Sequence, residues 1–339
     1  MQRRFQGRKR VSRLLLPVVA IAALALTACS GGGSTPSADS SGSSDAGASV
    51  DPTKPETTDV TASIFKATIT APLLTAEDND YGLTLTPTYI ESSPASVTAL
   101  VGGSAQFAYT AYFGVIDAVN QGIKLRIVSE QAASAPGINT IEVLPDSKIK
   151  SLKDLVGKKV AIPALNSTND AIIKYDMEQA GLDSSTVQFV ALPYGEVAAN
   201  LQQGTIDAGA LLGAPLATAK STLDTRTIFD FGDKNWKGFA QGGWITTQEF
   251  LDKNPNTVAA FQCAIAAGTK TVADDDAAYT TAMKSIGYDD AAIAGAGKPN
   301  FVTGLRTDAF ETVAKVKAAN DGGAPFDIES ILVPAPDNC

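Results

Sequence analysis

The sequence predicts an α/β fold built as two α/β lobes, and three observations carry that prediction. Short apolar runs alternate with amphipathic helical stretches through the middle of the chain, the pattern of largely parallel strands joined by helices. One unit occurs twice: Leu100-Val-Gly-Gly103-Ser104-Ala-Gln106-Phe-Ala108 parallels Leu201-Gln-Gln-Gly204-Thr205-Ile-Asp207-Ala-Gly209, offset by 101 residues. Each copy reads as a helix stopped at Gly, a Ser or Thr, then a strand entered through Gln or Asp. Such a repeat points to two similar lobes rather than one continuous sheet. Finally, Thr247 to Asn320 is helix-dominated and without visible chemistry, so it is expected to pack onto the sheets.

Taken in order, Arg3 to Arg13 is a basic head and Leu14 to Leu26 an apolar run. The run is too short for a comfortable membrane span, which needs ~20 residues, and it suits a signal segment. It ends in Leu26-Thr27-Ala28-Cys29, which resembles the bacterial lipobox. That resemblance implies cleavage after residue 28 and lipidation of Cys29, with several acyl chains giving stable anchoring. Residues 29–59 are rich in Gly, Ser, Thr, Pro and Asp and read as a disordered tether. Further on, Ser151-Leu-Lys-Asp154 is a capping box before a short helix that Gly157 stops. Lys158 to Ile162 reads as a strand, and Asn166-Ser167-Thr168-Asn169 as N-cap formers ahead of a helix closed by Gly181. Val187 to Leu192 is a strand and Glu196 to Gln203 a helix. Asn254-Pro255 and Thr307 open two later helices.

Composition excludes several functions. The 339 residues contain no histidine, which removes Ser-His-Asp and Cys-His nucleophiles, imidazole acid/base work and HExxH zinc sites. The formal net charge is −9, but six basic residues and no acid lie in the first 28 residues, leaving −15 on the rest. A body that acidic repels phosphate backbones, so nucleic acid is not an expected partner. Of three cysteines, Cys29 is assigned to lipidation. Cys263 and Cys339 remain; an oxidising compartment favours their pairing, while the apolar helical setting of Cys263 also suits a plain core residue. Neither has metal-ligand company, and no metal or other cofactor is expected.

An ordered series of motifs resembles one family, the substrate-binding proteins of ABC importers in the nitrate/sulfonate/taurine branch, which have the type II periplasmic-binding-protein fold. The series runs through Tyr81-Gly-Leu83, Gly103 to Ala108, Asn120 to Val128, Ile149 to Ala161, Ala180 to Asp183, Leu201 to Ala208 and Phe250 to Pro255. The resemblance implies two lobes joined by two crossover segments, 139–144 and 245–250, closing on a small solute. Lobe one would hold 60–142 and 246–339, with the helical C-terminal third packed on it, and lobe two 143–245. It also implies a monomeric, membrane-anchored extracytoplasmic receptor that passes its solute to a permease driven by a cytoplasmic ATPase. The one enzymatic relative implied, a pyrimidine-precursor synthase, consumes its own histidine and is excluded here.

In open α/β sheets ligands sit beyond the carboxyl ends of the strands. That rule selects Thr70, Ala71 and Pro72; Tyr109, Thr110 and Tyr112; the stretch from Gln131 to Ser134; Asn166, Ser167 and Thr168; Tyr194; Gly213 to Pro215; and Gln241 to Trp244. Free N–H groups and hydroxyls at Asn166-Ser167-Thr168 would suit an anion without a cationic side chain, and simple N-capping uses the same groups. Tyr109, Tyr112, Tyr194 and Trp244 would supply apolar walls with polar tips. Taurine binders of the family often carry an acid and an aromatic where this chain has Leu212-Gly213-Ala214-Pro215. The smaller loop is expected to leave room for a larger or aromatic solute, and the absence of Lys and Arg disfavours bare nitrate. The expected ligand is a sulfonate-like organic anion; the alternative is a neutral heteroaromatic, or a sensor role on the same fold.

Overall fold

The computed structural model describes residues 50–76, 80–90, 92–337 and 339. The signal segment, Cys29 and the tether up to residue 49 lie outside the described residues. From Asp59 the chain lays down β1 (Asp59–Phe65), α1 (Ala71–Thr75), β2 (Thr84–Ile90), α2 (Ser93–Val101), β3 (Phe107–Ala111), α3 (Tyr112–Asn120) and β4 (Leu125–Ala133). It then crosses to a second sheet with β5 (Asn139–Val143), β6 (Lys159–Ile162), α4 (Thr168–Gln179), β7 (Gln188–Ala191), α5 (Tyr194–Gln203), β8 (Ala208–Leu212), α6 (Gly213–Leu223) and β9 (Arg226–Asp230). It returns through β10 (Ala240–Thr247) and finishes with α7 (Gln248–Lys253), α8 (Pro255–Asp274), α9 (Asp276–Ser285), α10 (Asp290–Ala296), β11 (Asn300–Phe301) and α11 (Thr307–Asp321).

The two sheets share one plan. The first runs β11-β4-β10-β3-β1-β2 and the second β7-β6-β8-β5-β9. In each, the earliest parallel strand (β1 or β6) lies between its two parallel partners. Next to them sits one antiparallel strand, β10 or β5, delivered from the opposite lobe. The 101-residue repeat falls on equivalent places: α2 and β3 in one lobe, α5 and β8 in the other. Both copies turn at a left-handed glycine, Gly103 at φ +71° and Gly204 at φ +68°. Val160, Ala161 and Ile162 of β6 are all fully buried, as a strand covered on both faces must be.

The crossovers lie earlier than the sequence suggested. Residues 139–143 pair with β8 and β9, so they are the second sheet's antiparallel strand, and residues 240–247 pair with β3 and β4. Residues 134–138 and 231–239 make the crossings. They run against each other: the Ser134 N–H donates to Phe239 O, and the Gly238 N–H donates to Ser134 O, both at 2.9 Å. At Gly232 a Cβ would fall 1.9 Å from Ala135 O, so only glycine admits this approach. The sequence leaves this boundary open because β5 and β10 are short strands whose sheet is set by long-range pairing alone.

The C-terminal helices pack on lobe one. Phe261 of α8 stacks on Phe107 of β3 at 3.7 Å between centroids, and Phe310 of α11 meets Tyr112 edge-on at 4.8 Å. Cys263 and Cys339 form a disulfide with Cα atoms 5.0 Å apart. The stretch expected to continue the tether, residues 51–57, lies instead against the first turn of α8. The Asp51 N–H donates to Asn256 Oδ1 at 2.8 Å, and the Glu56 carboxylate accepts the N–H groups of Asn256 (3.0 Å) and Thr257 (2.8 Å). Glu56 thus caps a 20-residue helix from a distant part of the chain. Glu56→Ala is expected to cost about 1 kcal/mol, read as a lower urea midpoint at unchanged m-value.

Candidate functional site

The carboxyl ends of the central strands converge between the lobes on a cavity of about 230 Å³. Lobe one contributes Ala67 to Ile69 after β1, Ala132 to Ala135 at the end of β4, Gln241 of β10, and a stretch from Tyr288 to Asn300 around α10. Lobe two contributes Ile138 and Asn139, Leu212 to Pro215 at the start of α6, and Phe231 and Gly232. Among the described residues, this lining holds no Asp, Glu, Lys or Arg. Its polar groups are hydroxyls and amides: Thr68, Ser134, Asn139, Gln241, Tyr288 and Asn300. Ser134 is 4% exposed and its hydroxyl has no hydrogen-bond partner, an unsatisfied group that a bound solute would relieve. A larger groove of about 670 Å³ lies around Leu100, Gln248 and Phe250. It sits by the amino ends of β3 and β4, where the strand-end rule places no ligand.

The structure distributes the sequence-selected residues unevenly. Gly213 lines the cavity, as do the neighbouring Ser134, Ala214, Pro215 and Gln241 of the selected loops. Thr70 is buried behind the wall; its hydroxyl donates to Phe65 O at 2.6 Å and braces the β1–α1 turn that carries Ala67 to Ile69. Ala71 and Pro72 begin α1, buried beneath α8, where a Cβ on Gly268 would sit 2.2 Å from Pro72 O. Gln131, also buried, accepts from the Trp244 indole N–H at 2.5 Å and donates to Ile69 O, so it holds the same wall from below. Trp244 and Tyr109 meet edge-on at 5.9 Å in the lobe-one core. Thr110 and Tyr112 are buried with hydroxyls lacking partners. Burial, and then the neighbouring Glu130 carboxylate, push the Tyr109 and Tyr112 phenols above their ordinary pKa. Tyr194 is half-buried against the lobe-two core.

The helix start at Asn166-Ser167-Thr168 has its own anion. The buried Asp170 carboxylate accepts from the Asn166 N–H at 3.0 Å and the Ser167 hydroxyl at 3.1 Å, with Lys174 Nζ at 3.1 Å. The carboxylate takes up the Asn166 N–H and the Ser167 hydroxyl that an external anion would need. None of the three residues lines the cavity; α4 reaches it only indirectly, through Asn169 Nδ2 donating to Asn139 Oδ1 at 3.4 Å. Sequence reasoning missed Ala67 to Ile69, Asn139, Phe231 and the α10 region. The first lies just ahead of a selected loop, but nothing local marks the last, which was expected only to pack.

The room expected beside the small Gly213-Ala214-Pro215 loop is filled. A Cβ on Gly213 would come within 3.3 Å of the Ala296 backbone, and one on Gly295 within 3.4 Å of Ala214 Cα. The end of α10 therefore occupies the space that a bulkier loop would have taken.

Two lobes of one topology around a strand-end cavity define a periplasmic-binding-protein fold. The periplasmic aliphatic sulphonate binding protein SsuA of Escherichia coli superposes with a TM-score of 0.70, covering 84% of this chain and 94% of that one at 19% identity. The chain belongs to the NMT1/THI5-like family, which it matches over residues 69–278. It is 26% identical over 188 residues to the taurine-binding periplasmic protein of Escherichia coli, covering 55% of this chain and 57% of that protein. An Escherichia coli protein described as aliphatic sulfonates-binding is 28% identical over 163 residues, covering 48% of this chain and 50% of the relative. The chain thus spans about half the length of these curated relatives. Among the described residues, no cluster of three or more His, Cys, Asp or Glu could hold a metal, and no helix is long and apolar enough to cross a membrane.

Proposed function

We propose that this chain is a monomeric extracytoplasmic receptor, anchored through a lipidated Cys29, that captures a small organic solute between its lobes and passes it to an ABC permease. The observation that carries the reading is the cavity at the strand ends of two like lobes, walled by both and braced by paired crossovers. Capture requires hinge closure and no covalent step. A sulfonate-like anion is the leading solute, supported by what the relatives are named for binding. An anion would be held by hydroxyls, amides and the N–H groups at the start of α6 rather than by cationic side chains. The uncharged lining equally suits a neutral heteroaromatic, the second reading.

A thermal-shift panel of alkanesulfonates, aryl sulfonates, taurine, nitrate and pyrimidines separates these readings. A solute at 100 times its Kd should add about 2.7 kcal/mol of stability. Taurine is expected to trail simple alkanesulfonates, because its ammonium group would be desolvated with no carboxylate to receive it. Stability unmoved by every solute would sink the receptor reading.

A further inference from the structure

We propose that α10 is the size filter of the cleft: its Gly295–Ala296 end shuts against the start of α6, so solutes too long to leave this seam closed are rejected. The inference rests on the solute-capture reading and deepens it. Helix α10 belongs to lobe one. Its Ile293 and the preceding Tyr288 pack into the cluster of Ala71, Val272, Tyr279 and Met283. It is tied down immediately past that same end, where the Tyr279 hydroxyl donates to Gly297 O at 3.1 Å and Lys298 Nζ reaches Asp276 Oδ1 at 2.7 Å. Its near side faces lobe two without a large side chain. A Cβ at Gly295 would stand 3.5 Å from Ala214 Cβ and 3.8 Å from Ala217 Cβ, and Gly213 meets the Ala296 backbone.

The seam and the cavity share residues. Gly213, Ala214 and Ala296 belong to both, and Ser134, with its unpartnered hydroxyl, lies on the same cavity wall. A solute that outgrows the cavity on this side must therefore displace α10 from α6, and the closed state loses this small-residue interlobe contact. Because backbone meets backbone at the seam, the limit is steric and abrupt, unlike a wall of flexible side chains. Selection follows from closure: a solute that cannot be enclosed gives the closed state no advantage.

Two experiments test this. The first needs no solute. A Gly295→Cys, Ala217→Cys pair would have Cβ atoms about 3.8 Å apart, within the disulfide range of about 3.5–4.5 Å. Oxidised glutathione is expected to cross-link it in the full chain; failure to cross-link overturns the seam. The second titrates linear alkanesulfonates from methane- to octanesulfonate by calorimetry. Wild type should prefer a short member by about tenfold or more over octanesulfonate. Gly295→Leu, and independently Ala217→Leu on the exposed face of α6, should each lose about tenfold on that short member, whereas Gly295→Ala should bind as wild type. Equal affinity along the series, or wedge variants that bind the short member like wild type, overturns the filter while leaving the receptor reading intact. A pair that cross-links in a protein silent to every sulfonate overturns the sulfonate reading and, with it, the filter.

Discussion

Arg306→Ala is expected to destabilise the protein by about 3 kcal/mol or more, the range for stripping one partner from a buried ion pair. Glu130 on β4 is fully buried, and Arg306, at the start of α11, grips both of its oxygens, with Nε to Oε2 at 3.0 Å. Burial raises the Glu130 pKa and the Arg306 contacts only partly offset that. Without the guanidinium, only the backbone N–H at 306 still opposes the raising effect of burial. A folded-state pKa above the unfolded value means the folded protein takes up the proton first. That contribution is present at low pH and lost as pH rises through the folded pKa. The variant's deficit should therefore be larger at pH 7 than at pH 5, measured by urea unfolding at both. A deficit under about 1 kcal/mol at pH 7 would mean that water, not Arg306, satisfies this carboxylate. Because the pair fastens α11 to the sheet, its loss should also loosen Phe310 from Tyr112.

The second large effect belongs to the disulfide. Opening it by Cys263→Ala with Cys339→Ala is expected to cost about 4 kcal/mol, since the link closes a ring across a sequence separation of 76 residues. The ring encloses α9, α10 and α11, so the cross-link limits how far the C-terminal region can spread in the unfolded chain. Reductant should lower the unfolding midpoint of wild type by the same amount and leave the double variant unmoved. A reductant effect that persists in the variant would assign the loss to some other cause. The cysteine count left two fates open for Cys263, a pairing or a plain core place. In the structure its partner is the last residue of the chain, and Cys263 itself is buried in α8.

Both predictions concern contacts between residues far apart in sequence, and the same divide separates what was legible from what was not. The lobes, the repeated helix–turn–strand unit and the stops at Gly157, Gly181 and Gly204 rest on periodicity, caps and left-handed turns, which are local properties. The loops at the strand ends were legible for a related reason: once the strands are placed, their carboxyl ends follow. Which side chains of those loops reach the cavity was not. Thr70 and Gln131 turn inward to brace the backbone of Ala67 to Ile69, and Tyr109 and Trp244 pack on each other. Successive side chains on a strand point to opposite faces, so a loop placed to within a residue or two leaves its orientation undecided.

The helix start at Ser167 shows the same limit electrically. Its N-cap residues promised an anion site, and the sequence also contains Asp170 three residues on, but only the fold shows that carboxylate turned back onto Asn166 and Ser167. By itself the sequence determined a two-lobed α/β chain, acidic and without histidine, with uncharged loops at its strand ends. Tertiary structure alone decided the sheet to which β5 and β10 belong, the pairing of the crossovers and the contact of α10 with α6. Those outcomes depend on pairing and packing between segments tens to hundreds of residues apart, and no local pattern encodes which distant surface a segment will meet.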